Sequence, residues 1–310
     1  MTKKTAPFSA ALIIFLGACG GGGSSDGGID SAPDPADATG TLRIAITDAP
    51  VTDVSVVNVQ FTGVTLKPAD GDEIVITFDT PRDFDLLTLT DGATADLLAD
   101  TVVPSGSYDW VRLAVNAEFD NVFDSYAMRP TGMVELRVPS GSQSGLKLVS
   151  GFNVLAQGAT SVVIDWDLRK ALTDPKGQPG LHLRPALRIT DMSAYGTLTG
   201  VVAIETVDDR AVCTNDLAAD TGNAVYIYQG TVDTPGDIGD AITEPWATAT
   251  VSQNIDGVYV YQASFLPIGE YSAAFTCQAS DDDPEVDDDI VFTKPQPFNI
   301  TDGVVTEINF

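Results

Sequence analysis

Histidine, cysteine and basic residues are all scarce in this 310-residue chain. A single histidine, His182, leaves almost no material for a serine–histidine or cysteine–histidine pair, or for a metal site with several histidines. The 16 lysines and arginines face 44 aspartates and glutamates, so the formal net charge is −28. A chain this acidic repels phosphate backbones, and we therefore exclude nucleic acid as a partner. Walker A and Gly-x-Gly-x-x-Gly sequences are also absent, which leaves nucleotide binding without support.

The first 18 residues are predicted to be a signal peptide of the lipoprotein type. Lys3 and Lys4 form a positive region, and the apolar stretch that follows is too short to span a bilayer. It ends in Leu-Gly-Ala-Cys at residues 16–19, which resembles the lipobox of bacterial lipoproteins. The resemblance implies that Cys19 carries a lipid and attaches the chain to a membrane. An ordinary signal peptide with a chance cysteine is the alternative.

Residues 19–39 are predicted to be a flexible tether. They are rich in Gly, Ser, Asp and Pro, and Ile29 is their one large apolar residue, so they cannot bury enough surface to offset ordering entropy. Roughly 20 residues of such a chain have a mean reach of about 25 Å. In diderm lipoproteins an aspartate after the cysteine tends to retain the protein at the inner membrane. Gly20 stands there, so this resemblance implies the outer membrane.

The balance of charge changes near residue 195, and we place a domain boundary there. Residues 40–195 contain 20 acids and 12 bases, whereas residues 196–310 contain 20 acids and 2 bases. Short runs of alternating apolar residues, separated by turn signals, predict sandwiches or barrels. We therefore predict an all-β protein with two tandem β-sandwich domains, residues 40–194 and 195–310.

Several segments of the first domain are clear enough for local predictions. Segments 109–118 and 161–167 alternate as half-buried strands. The apolar alternation resets at Gly63, which predicts a β-bulge. A helical turn is expected only around residues 94–98.

A set of spaced motifs in this region resembles a known family. In chain order they are GTLRIAITDAP (40–50), FDLLTLTDG (84–92), VPSGSYDWVRL (103–113), VPSGSQSGLKL (138–148), VIDWD (163–167) and LRPALRI (183–189). They resemble domain of unknown function 4382, a family found in bacterial and archaeal cell-surface lipoproteins. The resemblance covers about residues 40–190 and implies a surface lipoprotein without an established activity. A histidine usual near the end of the second strand is missing, since Lys67 or Pro68 stands there.

Residues 254–275 resemble the recurrent hairpin of carboxypeptidase-regulatory-like or prealbumin-like sandwiches. Asp256 and Gly257 predict a turn into one strand, and Pro267 to Gly269 predict the turn into the next. Related sandwiches bind sugars in some proteins and are spacers in many, so the resemblance implies a fold and no activity.

Cys213 and Cys277 are the cysteines that remain after lipidation. In an oxidising envelope we expect them to form a disulfide within the second domain. Closing a loop of about 64 residues gives roughly 4 kcal/mol in the chain-entropy model. Two buried free thiols are the alternative. A redox-active role is not expected, because there is no Cys-x-x-Cys.

Tyr108, Trp110 and Arg112 are predicted to share the strand face opposite the core. An exposed aromatic stripe of this kind is a candidate platform for glycans or envelope polymers. The alternative is that the second domain or an edge loop covers it.

An aspartate pair and the single histidine of the first domain are also candidates for chemistry. Asp165 and Asp167 lie on one strand face and have the residue types of a cation site or an acid–base pair. We expect them instead on an exposed face near Arg169 and Lys170. His182 alternates with leucines and is expected to face solvent.

The run at residues 281–289 has seven carboxylates in nine residues. Clustered oxygens suit Ca²⁺, but the EF-hand spacing and its glycine are missing. We expect a solvated, disordered loop without a stoichiometric metal site. No catalytic residue and no cofactor is predicted. The chain is interpreted as a binding or structural protein of the envelope. A structural or adhesive subunit is the alternative, and the missing histidine and nucleophile motif disfavour a hydrolase.

Overall fold

The computed structural model describes residues 38–49, 51, 54–139, 146–203, 206 and 222–310. Their regular secondary structure is almost entirely β, which confirms the all-β prediction. The helical pieces are short, with a 3₁₀ turn at Leu86–Thr88 and a helix α1 at Leu168–Ala171. The helical turn expected around residues 94–98 is wrong. This segment starts a strand that buries Leu97 and Leu98, because pairing with the first strand overrides its local preference.

The strands before residue 195 form two sheets, and we refer to them as the first body. In chain order they are β1 Thr39–Ala49, β2 Val56–Pro68, β3 Ile74–Asp85, β4 Ala95–Pro104, β5 Gly106–Asn116, β6 Tyr126–Arg129, β7 Gly132–Arg137, β8 Leu146–Leu148, β9 Phe152–Val154, β10 Ala159–Asp167, β11 Leu172–Thr173, β12 Leu181–Leu183 and β13 Leu187–Asp191. One sheet has the order β13-β10-β1-β4, and the other the order β11-β12-β7-β6-β2-β5-β8. In the second sheet β3 also pairs with β2, and β9 with β5.

Alternating apolar side chains from both sheets form the core of the first body. Trp166 on β10 is fully buried and meets Phe61 on β2 at 6.2 Å between ring centroids. The bulge predicted at Gly63 is confirmed by a register shift between Phe61 and Gly63. A side chain at Gly63 would place its Cβ 2.5 Å from the Ile76 carbonyl oxygen, so this close approach requires glycine.

The strands from residue 195 onward form two further sheets, which we refer to as the second body. They are β14 Tyr195–Val202, β15 Ala224–Gln229, β16 Ala247–Thr250, β17 Ser252–Gln253, β18 Tyr259–Pro267, β19 Gly269–Thr276, β20 Gln296–Ile300 and β21 Val305–Glu307. Their sheets have the orders β17-β18-β14-β21 and β16-β15-β19-β20. Buried side chains between these sheets form a separate core.

The turn predicted at Pro267 to Gly269 is formed, but it does not make a hairpin. Strand β18 pairs with β14 and β17, whereas β19 pairs with β15 and β20. The connection therefore crosses from one sheet to the other. Crossing lets Tyr261 on β18 and Phe275 on β19 contribute to one core from opposite sides.

Candidate functional site

The predicted anchor and one of the two predicted disulfide cysteines lie outside the described residues. These are Cys19 and Cys213. Cys277 is buried in the core of the second body. Lipidation at Cys19 and the Cys213–Cys277 disulfide stay predictions.

The aromatic stripe expected on β5 does not form as a three-residue platform. Tyr108 is buried in the core, where its ring stacks on Phe152 at 5.0 Å and its hydroxyl donates to the Pro104 carbonyl at 2.7 Å. The cause is a register shift in the pairing of β2 with β5, opposite Pro68. Proline has no backbone N–H for the ladder, and the shift turns Tyr108 inward relative to Trp110.

Trp110 remains on the outer face of β5, but cationic side chains lie over its ring. Arg112 is 4.7 Å and Lys147 is 4.2 Å from the ring centroid. Both contacts are in the range of cation–π attraction. A sugar that stacked here would compete with these cations for the ring.

Asp165 and Asp167 are buried, which corrects the expectation of an exposed face. Arg188 on the neighbouring strand β13 binds both, with its Nη2 2.5 Å from Asp165 Oδ2 and its Nη1 3.4 Å from Asp167 Oδ2. Burial alone would lower the pKa of Arg188, but the two carboxylates outweigh it and raise that pKa. The pair therefore forms an ion cluster with Arg188 and is not placed as an acid–base pair.

This ion cluster lies where the two bodies meet. Arg188 also donates to the Trp246 carbonyl and stands over the Trp246 ring, at 4.5 Å from its centroid. The Thr248 hydroxyl donates to Asp167 Oδ1 at 3.3 Å. Trp246 and Thr248 belong to the second body, so the ion cluster has contacts in both bodies.

Two further basic side chains of the first body bind the second body. Arg169 donates to the Ala279 carbonyl at 2.8 Å, and Lys170 pairs with Glu244 at 2.8 Å. We expected these bases beside Asp165 and Asp167, but they point across the junction instead.

The junction also has an apolar part. Phe265 of the second body packs against Ala45 and Val163 of the first. The Thr190 hydroxyl donates to the Phe265 carbonyl at 2.9 Å. Apolar packing and directional hydrogen bonds thus act together at this contact.

An open cleft of about 630 Å³ borders the ion cluster. Its lining includes Trp246, Tyr228, Lys170, Arg184 and Arg188. An aromatic ring with convergent polar groups in a space of this size suits a small ligand or a short polymer segment.

His182 is buried, which corrects the expectation of a solvent-facing residue. It pairs with Thr173 on β11 and with Arg137 on β7, so neighbouring strands cover it on both sides. Burial, followed by the nearby Arg137 and Arg184, lowers the pKa of His182. A neutral imidazole is therefore favoured at this position.

The acidic run is not a disordered loop, because it packs on the second body. Asp282 is buried, accepts a hydrogen bond from the Tyr226 hydroxyl, and accepts another from the Ile238 backbone N–H at 3.2 Å. One carboxylate oxygen each from Asp237, Asp282 and Asp288 lie within 4.8 Å of one another. We refer to these three residues as the acidic cluster. They are the carboxylates best placed to hold a metal.

Sequence reasoning missed Arg188, Trp246 and Asp237. Arg188 was visible as a basic residue between apolar Leu187 and Ile189, but nothing local paired it with a strand 21 residues earlier. Trp246 and Asp237 lie in segments that contain no recognisable motif.

Comparison with known proteins gives a family match for the first body. Residues 39–185 match the model of the family described as Domain of unknown function (DUF4382), which confirms the predicted resemblance. No curated protein matches the chain. In the described ranges, no helix has the length and apolar character needed to cross a lipid bilayer.

Solved structures that align with the chain include proteins of the bacterial surface. The Bacillus anthracis TIE protein is 12% identical with a TM-score of 0.20, over 88% of this chain and 34% of that protein, so the chain spans about a third of its length. The minor pilin of Streptococcus agalactiae is 9% identical with a TM-score of 0.19, over 87% and 94%. The major pilin of Streptococcus pyogenes is 13% identical with a TM-score of 0.18, over 87% and 96%. TM-scores this low carry no functional inference.

Proposed function

We propose that this chain, whose residues 39–185 match the model of the family described as Domain of unknown function (DUF4382), has a structural or adhesive role at the cell envelope without enzymatic activity. The observation that carries this proposal is the junction. Asp165, Asp167 and Arg188 are the convergent acid and base groups of the first body, and their contacts join it to the second. Side chains that pair with one another and bind the second body in this way serve the contact between the bodies rather than proton transfer.

The predicted features of the N-terminal residues support a location at the cell envelope. A lipid on Cys19, the tether at residues 19–39 and the lipoprotein character of the matched family all favour an outer-membrane lipoprotein with membrane attachment through its lipid. We also propose that the boundary between the two domains lies between residues 194 and 195. Cys213 and Cys277 form a disulfide in this proposal. Such a unit presents two sandwiches at the end of a flexible linker.

Cell fractionation and adhesion assays test this proposal. Cys19→Ser should release the protein into the soluble fraction and reduce attachment of the producing cells to a surface, because the folded unit loses its anchor. Ser24→Ala, in the same tether, should leave both unchanged. A Cys19→Ser protein that still partitions with membranes would contradict the anchor. Unchanged attachment after its release would contradict the adhesive role.

A direct test addresses the proposed lack of catalysis. Chromogenic glycosides and esters incubated with the full chain should show no turnover above the buffer rate. Turnover that is abolished by Asp165→Asn would overturn the non-enzymatic part of the proposal.

Glycan binding is a second candidate, favoured by the cleft at the junction. Trp246 is half-buried there, with Lys170 and Arg184 in the same lining. A glycan array with the full chain should then give signals that fall with Trp246→Ala. Trp110→Ala serves as the comparison, since Trp110 lies on the outer face of β5. Loss with Trp110→Ala alone would assign binding to β5, and an array without signals would exclude this candidate.

A further inference from the structure

We propose that Asp237, Asp282 and Asp288 bind one calcium ion in the second body. One carboxylate oxygen from each lies within 4.8 Å of the others. Oxygens that share a Ca²⁺ at about 2.3–2.6 Å are at most about 5 Å apart, so this spacing suits a single ion. The inference is independent of the adhesive role and reverses the expectation of no metal site.

In each of the two buried carboxylates of the cluster, one oxygen has a hydrogen-bond donor and the other has none. Asp237 is 2% exposed and Asp282 is 8% exposed. Asp237 Oδ2 accepts from the Asp288 backbone N–H, and Asp282 Oδ2 accepts from Ile238 at 3.2 Å. The Oδ1 atom of each is buried and has no hydrogen-bond partner in the described part of the chain. Buried carboxylate oxygens without partners are costly, and a bound cation would satisfy them.

The acidic cluster also lacks a compensating cation. No lysine or arginine among the described residues lies within 4 Å of a carboxylate of the cluster. Arg169 acts on Asp282 from a longer range, but its guanidinium donates to the Ala279 carbonyl. A bound cation would supply the counter-charge that these neighbouring carboxylates lack.

The segment that carries Asp237 contains a glycine, which the acidic run lacks. The run has no glycine, but Gly239 lies against it at φ +117°, and a Cβ there would stand 2.4 Å from the Val286 carbonyl oxygen. This close approach brings Asp237 next to Asp288, which lies 51 residues later in the chain. Within the run, the Asp283 N–H donates to Asp288 Oδ2 at 2.7 Å and orients that carboxylate. The cluster is therefore preformed by two distant segments.

The ligand chemistry selects a hard divalent cation. All three side chains offer carboxylate oxygen, which suits Ca²⁺ or Mg²⁺ and not the softer transition metals. Ca²⁺ accepts irregular coordination from flexible loops, whereas Mg²⁺ demands near-octahedral geometry and usually keeps several waters. Carboxylates that come from two loops and are largely removed from solvent fit Ca²⁺ better.

Calorimetry with the full chain tests this site. The protein is stripped with EDTA, dialysed and titrated with CaCl₂ in NaCl at about 0.15 M, a concentration that screens diffuse attraction to exposed charge. We expect a one-to-one isotherm with a Kd of about 1 mM or tighter, the range of extracellular calcium modules. Asp237→Asn and Asp282→Asn should each weaken binding about tenfold or more, because each removes a charged ligand.

Matched controls come from the same run. Asp287 and Asp289 are exposed and lie outside the cluster, so Asp287→Asn and Asp289→Asn should keep the wild-type affinity. Circular dichroism in EDTA verifies that each variant folds. Terbium is a second probe, because Tyr226 donates to Asp282 and should sensitise its emission until calcium displaces it. Tyr226→Phe should lower this emission.

Several outcomes would overturn the inference. Wild-type protein without saturable heat has no calcium site. Equal losses in Asp287→Asn and Asp237→Asn would mean diffuse attraction to the run. Wild-type affinity in Asp237→Asn would place any ion elsewhere, and tighter binding of MgCl₂ than of CaCl₂ would replace the proposed ion.

Discussion

Each body of this protein buries carboxylates, but the two bodies neutralise them differently. In the first, Asp165 and Asp167 share Arg188, which reaches them from the adjacent strand. In the second, Asp237 and Asp282 have hydrogen-bond donors but no basic residue within 4 Å among the described residues. The difference follows the composition, since residues 40–195 have 12 bases and residues 196–310 have 2.

The comparison teaches that burial of acid does not by itself identify a site. A carboxylate paired with an internal arginine is complete and acts as a structural contact. A buried carboxylate with an unpartnered oxygen is incomplete and is open to a ligand from outside. The same residue type therefore has a structural role in one body and a proposed binding role in the other.

The largest expected effect comes from breaking the compensated cluster. Arg188→Met removes the one cation shared by Asp165 and Asp167 and should lower the free energy of unfolding by about 3–5 kcal/mol, as measured by urea denaturation. Arg43→Met is the matched control. Its pair with Asp96 at 2.7 Å is exposed and screened by solvent, so the loss of stability should be much smaller.

A combined variant examines the cause of that loss. Replacing Asp165 and Asp167 by Asn in the Arg188→Met background should recover part of the stability, because it removes the uncompensated charges. If Arg188→Met costs no more than Arg43→Met, the cluster does not hold the bodies together as described.

The next effect concerns the close approach that builds the acidic cluster. Gly239→Ala forces a side chain onto a glycine-only conformation, which costs about 1–3 kcal/mol, and the overlap with the Val286 carbonyl adds to this. Gly71→Ala is the control, since Gly71 has a similar φ of +115° but no atom near its Cβ position. The difference between their urea unfolding midpoints isolates the contact. Equal losses would mean that the approach of the two segments is unimportant.

A smaller effect is expected from the hydroxyl that binds Asp282. Tyr226→Phe should lower the free energy of unfolding of the metal-free protein by about 1–2 kcal/mol at pH 7, because a buried carboxylate loses a donor. Tyr261→Phe removes a hydroxyl that donates to the neutral Ile308 carbonyl at 2.7 Å, and should cost less. Thermal or urea unfolding of both variants checks the ranking. A larger cost for Tyr261→Phe would contradict the claim that the buried carboxylate of Asp282 depends on its hydroxyl donor more than a neutral carbonyl does.

The smallest expected effect concerns His182, a buried group whose charged form is positive rather than negative. Burial and two arginines lower the pKa of His182 in the folded state, so the unfolded chain takes up this proton first as the pH falls. Stability contributed by neutral His182 is therefore present above about pH 6.5 and is lost as the pH falls below that value. Replacing His182 with Gln should flatten the dependence of unfolding free energy on pH between about 7 and 5. An unchanged slope would mean that His182 titrates alike in both states.

Local spacing was enough for the predictions that rest on one strand. Val162, Ile164 and Trp166 alternate inward as expected, and the reset at Gly63 is a bulge. These features depend on the two-residue repeat of a strand, which is written in the sequence.

Predictions that depend on a neighbouring strand were less secure. Tyr108 turns inward because β5 carries an extra residue opposite Pro68, and nothing within β5 reveals which partner it will meet. His182 is covered by β7 and β11, whose pairing the alternation of β12 does not show. The facing direction of a side chain is local, but its exposure belongs to the assembled sheets.

The sequence by itself determined the all-β character, the acid excess, the scarcity of histidine and the resemblance of residues 39–185 to a known family model. The tertiary structure decided which charges are buried and which are paired. Arg188 meets Asp165 from 23 residues away, and Asp288 meets Asp237 across 51 residues. Electrostatic and hydrogen-bond energies depend on distance in space and on the water that burial removes, and neither is contained in the spacing along one segment.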